Sequence, residues 1–195
     1  DQPRSRGLGD VYKRQEDCPN TAISFKGCNF LAEYNSFRNC TNETDDSGVI
    51  ASWGNPTYRG NIWRFNRFSH CGGGYTQGWV QRRYFGTNIF RFDDAISGQT
   101  VYGNIMDHAD QFGTAAGAME NNSGRDNFYD NNVVIDAMAP YAGYYGAGND
   151  LYNWYNWNND PPTSGINAAY LAAFPELANL YDGQGQNFLL SLIHI

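Results

Sequence analysis

A short phrase recurs along this chain and limits what the chain can fold into. It runs Asn, an apolar residue, a gap of a few residues, then Asn and an apolar residue again. Residues 28–37 (CNFLAEYNSF) give the first instance and residues 60–68 (GNIWRFNRF) the second. A third begins at Gly103-Asn104-Ile105-Met106, and the fourth is residues 126–133 (DNFYDNNV). Other strand-like runs lie between them, at residues 48–53 (GVIASW), 90–93 (FRFD) and 117–120 (GAME). Self-similarity at a period of about 20–50 residues is the signature of stacked architectures, in which no single unit can bury its own apolar face. Asn104 to Asn127 is 23 residues, and Asn61 to Asn104 is 43. Residues 70–86 (HCGGGYTQGWVQRRYFG) account for the surplus as a Gly-rich, aromatic insertion. The repeat therefore predicts an all-β parallel β-helix, a solenoid of short strands stacked about 4.8 Å apart. Asn at one position in each turn predicts an internal amide ladder. An antiparallel sandwich with Asn turns is the alternative, but its turns need not repeat one phrase.

The two ends read differently from the body. Residues 5–15 (SRGLGDVYKRQ) can be encoded by the adapter and transposon-end DNA of sequencing libraries, and residues 190–195 (LSLIHI) by the complementary end. Residues 1–15 and 190–195 are accordingly read as adapter-derived scars rather than native protein. The body is then residues 16–189, expected to be an internal piece of a longer, metagenomic protein and inactive in isolation. Removing the four basic and two acidic residues of the ends leaves nine Lys/Arg against eighteen Asp/Glu, a net charge of −9. That balance argues against a nucleic-acid or anionic-membrane partner. No apolar run approaches the roughly 20 residues of a membrane span.

Residues 16–136 are expected to hold the stacked coils, and residues 137–189 an aromatic loop and short helix packed on them. Ser164 is placed to cap a helix over residues 166–180, with Pro175 kinking it or starting a second one. Cys18, Cys28, Cys40 and Cys71 lack CxxC spacing, so no zinc site is expected; they read as small buried residues, with a disulfide open to a secreted protein. No metal or cofactor is implied. His70 and His108 have no partner spacing. Tyr141, Tyr144, Tyr145, Trp154 and Trp157 serve equally as sugar platforms or as packing.

Strand alternation sorts the candidate chemistry. If Phe90 and Phe92 face inward, Arg91 and Asp93 face out. Inward Ile50 and Met119 send Trp53 and Glu120 out. Counted from the shared Asn landmark, Trp53, Asp93 or Asp94, and Glu120 have similar offsets, so successive coils present one outward column of a ring and two carboxylates. Carboxylates one coil apart cannot both ionise freely, which makes an acid beside a base or nucleophile. Asp93 or Asp94 with Glu120 is thus the candidate catalytic pair, with Trp53 stacking a sugar and Arg91, Arg125, Asp126 and Asp46 binding substrate. Asp93, Asp94 and Asp126 also read as turn residues bonding their own backbone. Asp45 and Asp46 fall at the opposite end of their strand.

The order of residues 44–53 (TDDSGVIASW), 57–68 (TYRGNIWRFNRF), 90–105 (FRFDDAISGQTVYGNI), 124–136 (GRDNFYDNNVVID) and 174–182 (FPELANLYD) resembles bacterial right-handed parallel β-helix proteins related to a glycoside hydrolase family. Residues 52–55 (SWGN) depart from that family's Thr-Gly-Arg-Asp pattern, and the 70–86 insertion is longer than its usual turn. The resemblance implies a right-handed β-helix, an extracellular or periplasmic location, and hydrolysis of fucosyl or xylan-type linkages in an oligo- or polysaccharide. Two other classes stay open: a polysaccharide lyase or epimerase, suggested by Arg91 beside Asp93, and a noncatalytic carbohydrate-binding surface β-helix.

Overall fold

The computed structural model describes residues 13–44, 46–71, 87–109, 118–137, 139–144, 168–179, 188–189 and 191–195. Nearly half of them lie in sixteen short strands that form three parallel sheets. Sheet A holds β1 (Arg14–Glu16), β4 (Ser36–Arg38), β7 (Arg67–Ser69), β10 (Ile105–Asp107), β13 (Asn132–Ile135) and β16 (Leu192–His194), in that order. Sheet B holds β2 (Ile23–Ser24), β5 (Ser47–Trp53), β8 (Thr87–Asp93), β11 (Met119–Asn122) and β14 (Tyr141–Tyr144). Sheet C holds β3 (Leu31–Glu33), β6 (Asn61–Arg64), β9 (Gln99–Tyr102), β12 (Phe128–Asp130) and β15 (Phe188–Leu189). Every strand pairs with the strand three places along the chain, so the backbone visits the sheets in rotation and returns to the first. The arrangement is consistent with a β-helix-like solenoid.

Pairing extends beyond the span assigned to the coils. Tyr141–Tyr144 pairs with Met119–Asn122, and Phe188–Leu189 with Phe128 and Tyr129, although the sequence around them shows no clear strand period. Gln15 pairs with Phe37, and Ile193 with Val133, so the chain on either side of the body is also in register with sheet A. The helical part is small: α1 (Ala168–Ala173), then a 3-10 turn at Pro175–Asn179. The second starts at Pro175, whose fixed φ suits a first helical position.

The core is made of in-register columns. Phe37, Phe68, Met106 and Val134 face one another across sheet A, and the first two rings stack at 4.9 Å and 6°. Ile50, Phe90 and Met119 line sheet B, and Trp63, Val101 and Tyr129 line sheet C; all are buried. Each such side chain contributes about 1.5–3 kcal/mol by leaving water. The strands are short, so the fold depends on these columns and on its corners.

The corner entering sheet A carries the amide ladder: Asn35, Asn66, Asn104 and Asn132. The side-chain oxygen of each of the last three accepts two hydrogen bonds from the turn before. Asn66 N and Nδ2 donate to Asn104 Oδ1 at 2.9 and 3.0 Å, and Asn104 donates likewise to Asn132. The residues before them, Tyr34, Phe65, Gly103 and Asn131, all have positive φ. A second corner, entering sheet C, repeats the backbone part of this pattern: Asn61 Oδ1 accepts from Phe30 N at 3.0 Å and Asn127 Oδ1 from Gln99 N at 2.9 Å, while Gln99 Oε1 accepts from Trp63 Nε1. The two Gly-Asn phrases, 60–61 and 103–104, therefore mark different corners. Measured along the true ladder, the turns span 31, 38 and 28 residues rather than 43 and 23. The longest of them contains the 70–86 stretch, of which residues 72–86 lie outside the described residues.

Candidate functional site: a buried arginine among carboxylates on sheet B

Phe90 and Phe92 are fully buried in the core, so alternation along β8 sends Arg91 and Asp93 to the other face. Space for Arg91 comes from β5. A Cβ added at Gly48 would lie 2.7 Å from Arg91 Cβ, so a glycine is needed where the guanidinium stem crosses the neighbouring strand. The guanidinium then meets three carboxylates. Arg91 donates to Asp93 Oδ2 from Nε at 3.2 Å and from Nη2 at 3.0 Å, and Nη2 also donates to Asp46 Oδ1. Arg91 Nη1 lies 3.3 Å from Glu120 Oε2. Neither of those last two atoms has a hydrogen-bond partner: they are close, but misaligned for a bond.

The register places these groups more sharply than counting from the Asn landmark does. Trp53 pairs with Asp93, as the column required, but Arg91 is the residue opposite Glu120. Asn122 is the β11 side chain that reaches Asp93, at 2.7 Å. Glu120 is thus displaced by two residues from the Trp53–Asp93 column, and meets Asp93 diagonally through Arg91. Counting from the Gly-Asn phrases gives a different offset because those phrases mark different corners. Asp46 does reach the cluster from the far end of β5: the long Arg91 side chain spans what the strand separates. Asp94 sits on the corner with φ 44°, and its N–H donates to Asp93 Oδ1 at 2.9 Å.

Electrostatics set the four apart. The Glu120 side chain is 4% exposed, and burial pushes its carboxyl up to about 7, helped by Asp93, Asp46 and Asp94 and opposed by Arg91. For Arg91, 7% exposed, burial works against the charge, yet Glu120, Asp93 and Asp46 outweigh it and hold the guanidinium above its ordinary value. Asp93 accepts four hydrogen bonds, two on each oxygen. Beside it Trp53 is 55% exposed, with Lys26 Nζ 5.7 Å from its ring centroid. The cluster therefore offers a carboxyl that exchanges its proton near neutral pH, a carboxylate with four hydrogen bonds, and an exposed ring on one face.

Arg125 and Asp126 go elsewhere. Asp126 (φ 58°) bonds Arg59, whose side chain is 1% exposed and whose Nε reaches Glu176 Oε1 at 3.2 Å. A Cβ at Gly98 would press on that arginine at 2.8–3.0 Å. Arg59 therefore anchors the Pro175–Asn179 turn to the corner entering sheet C, and Asp126 belongs to that anchor. One hint of it is visible in the sequence: an arginine stands directly before Gly60-Asn61. Arg125 N donates to Ser97 Oγ at 3.0 Å on the same corner. Tyr145, Trp154 and Trp157 lie outside the described residues.

Among the described residues no group of three His, Cys, Asp or Glu is placed to hold a metal ion, and no helix is long and apolar enough to cross a membrane. In comparison with known proteins, no family model, no curated protein and no solved structure matches the chain.

Proposed function

We propose that this chain is a section of a right-handed parallel β-helix that acts on carbohydrate outside the cytoplasm, as a glycoside hydrolase. The observation that carries the reading is the contrast between two neighbouring carboxyls: Glu120 is pushed up to about 7, while Asp93 is wrapped by four donors. Glycosidic hydrolysis needs such a pair, an acid for the leaving oxygen and a carboxylate for the anomeric centre or its water. Glu120 donates the proton, Asp93 acts as nucleophile or base, and Arg91 keeps them oriented. Trp53, exposed beside Asp93, supplies an apolar face for a sugar ring. The acidic surroundings suit a neutral or cationic saccharide better than a uronate.

Lyase or epimerase chemistry is less well supported. Its enolate needs a free cation, and Arg91 is already held by Asp46, Asp93 and Glu120. A noncatalytic, carbohydrate-binding role has one observation in its favour: Glu120 and Arg91 are 4% and 7% exposed, more covered than a working acid requires.

Release of reducing ends from neutral xylo- and fucosyl-oligosaccharides by the full-length protein carrying this segment separates the two. Glu120→Gln and Asp93→Asn are each expected to lower kcat by about 10²–10⁴-fold with KM little changed. Oligosaccharide binding without turnover in the unaltered protein selects the noncatalytic role. Undiminished hydrolysis in both variants would falsify the assignment.

A further inference from the structure

Three of the four cysteines fall in one column. Sheet A pairs Glu16 with Arg38 and Arg38 with Ser69, and the same alignment continues one corner further. There Asp17 N bonds Arg38 O at 3.0 Å, and Asn39 N bonds Ser69 O at 3.1 Å. Two residues past the aligned strand ends stand Cys18, Cys40 and Cys71, on three successive turns. The next two turns have Ala109 and Ala137 at that place. Cys40 and Cys71 are fully buried, and Cys18 is half-buried. Cys71 Sγ accepts a hydrogen bond from Cys40 N at 3.4 Å. Stacked parallel strands are about 4.8 Å apart, inside the Cα separation of about 4.4–6.8 Å that a disulfide spans.

We propose that this column is a site of oxidative cross-linking, in which Cys40 forms a disulfide with a cysteine of the adjacent turn, Cys71 in the final state and Cys18 on the way to it. Packing alone explains a small residue at this place, as Ala109 and Ala137 show. It does not explain a partly exposed thiol at the open end of a buried thiol pair. That order suits stepwise exchange. The Cys18 thiolate attacks oxidised glutathione, forming a mixed disulfide and releasing one reduced glutathione. Cys40 attacks the Cys18 sulfur, closing Cys18–Cys40 and releasing the second. Cys71 then attacks Cys40, closing Cys40–Cys71 and returning Cys18 as a thiol. In sum, two protein thiols are oxidised, one glutathione disulfide is reduced, and two protons pass to the two glutathione thiols. In the reduced pair a hydrogen bond with Cys40 holds the Cys71 thiol below its ordinary range, and the same bond, with burial, pushes Cys40 above it; the exchange itself follows from the stacking of the three sulfurs on successive turns. Cys28 bonds Thr57 O at 3.1 Å, on another corner, and takes no part.

Thiol counting tests this on the folded full chain, before and after oxidised glutathione, with peptide mapping of any cross-link. Four free thiols are expected to fall to two, with one disulfide that contains Cys40. The oxidised protein is expected to melt several degrees higher, since the bridge closes a 31-residue loop, and dithiothreitol is expected to reverse the gain. Cys40→Ser is expected to abolish the bridge, because Cys18 and Cys71 are then two turns apart. Cys28→Ser is expected to leave it intact. Four thiols remaining after oxidation of the folded protein, or a cross-link that survives Cys40→Ser, would overturn the proposal.

Discussion

Replacing Asn104 with leucine is expected to destabilise the chain by about 1–3 kcal/mol, read as a shift in denaturant midpoint with little change in slope. The volume is nearly conserved, so the loss is one of hydrogen bonds. Asn104 Oδ1 is the acceptor for Asn66 N and Nδ2, and Asn104 Nδ2 donates to Trp63 O at 2.9 Å. Asn66 Nδ2 keeps Ala32 O as a partner. Asn66 N keeps none, and such a buried orphan costs about 1–3 kcal/mol, whereas Trp63 O keeps its place in the β6–β9 ladder. An aspartate is no remedy, since it lacks the donor and brings a charge into the ladder. By contrast Asn131, at an exposed corner on the next turn, has no such role; Asn131→Gly is expected to change stability by less than about 0.5 kcal/mol, because its φ of 51° suits glycine.

Arg91→Met is the second large effect. The substitution leaves Glu120 buried among Asp46, Asp93 and Asp94 with no cation. Removing one partner of a buried pair costs about 3–5 kcal/mol, less a discount for Asp46, whose side chain is 54% exposed and solvent-screened. The loss is expected to be largest at pH 8 and to shrink towards pH 5 as Glu120 takes up a proton. Adding Glu120→Gln to Arg91→Met is expected to recover part of it. Additive losses in that double-mutant cycle would mean that the two side chains do not interact.

The architecture was legible in the sequence because the same physics recurs on every turn. A corner with positive φ followed by a buried amide selects Gly-Asn or its equivalents, and alternation sorts Phe90 and Phe92 from Arg91 and Asp93. The phase was not legible, for the same reason. Two corners of each turn impose the same demand, so Gly60-Asn61 and Gly103-Asn104 look alike although one opens a strand of sheet C and the other a strand of sheet A. Counting across the two corners gives a repeat of 23 residues and puts Glu120 beside Asp93, whereas the register puts it beside Arg91. Arg91 itself was read as a substrate ligand; only contacts 45 residues apart in sequence reveal that Asp46 holds it. Asp126 looked like a rim residue because its partner, Arg59, is 67 residues away. Tyr141–Tyr144 has no strand signature of its own, because its pairing with β11 rather than its own alternation makes it a strand.

Burial among carboxylates moves the titration of Glu120 close to neutrality. In the folded state its carboxyl binds a proton more tightly than the ordinary value of 4.5 allows. The folded chain therefore binds more protons than the unfolded one between about pH 4.5 and 7, so this group's contribution to stability falls as pH rises through that window and levels off above it. The direct measurement is a carbon-13 NMR titration of the Glu120 side-chain carboxyl, assigned by its absence from Glu120→Gln. A midpoint near 7, falling in Asp93→Asn and rising in Arg91→Met, is the expected result. A midpoint near 4.5 that neither substitution moves would contradict the account.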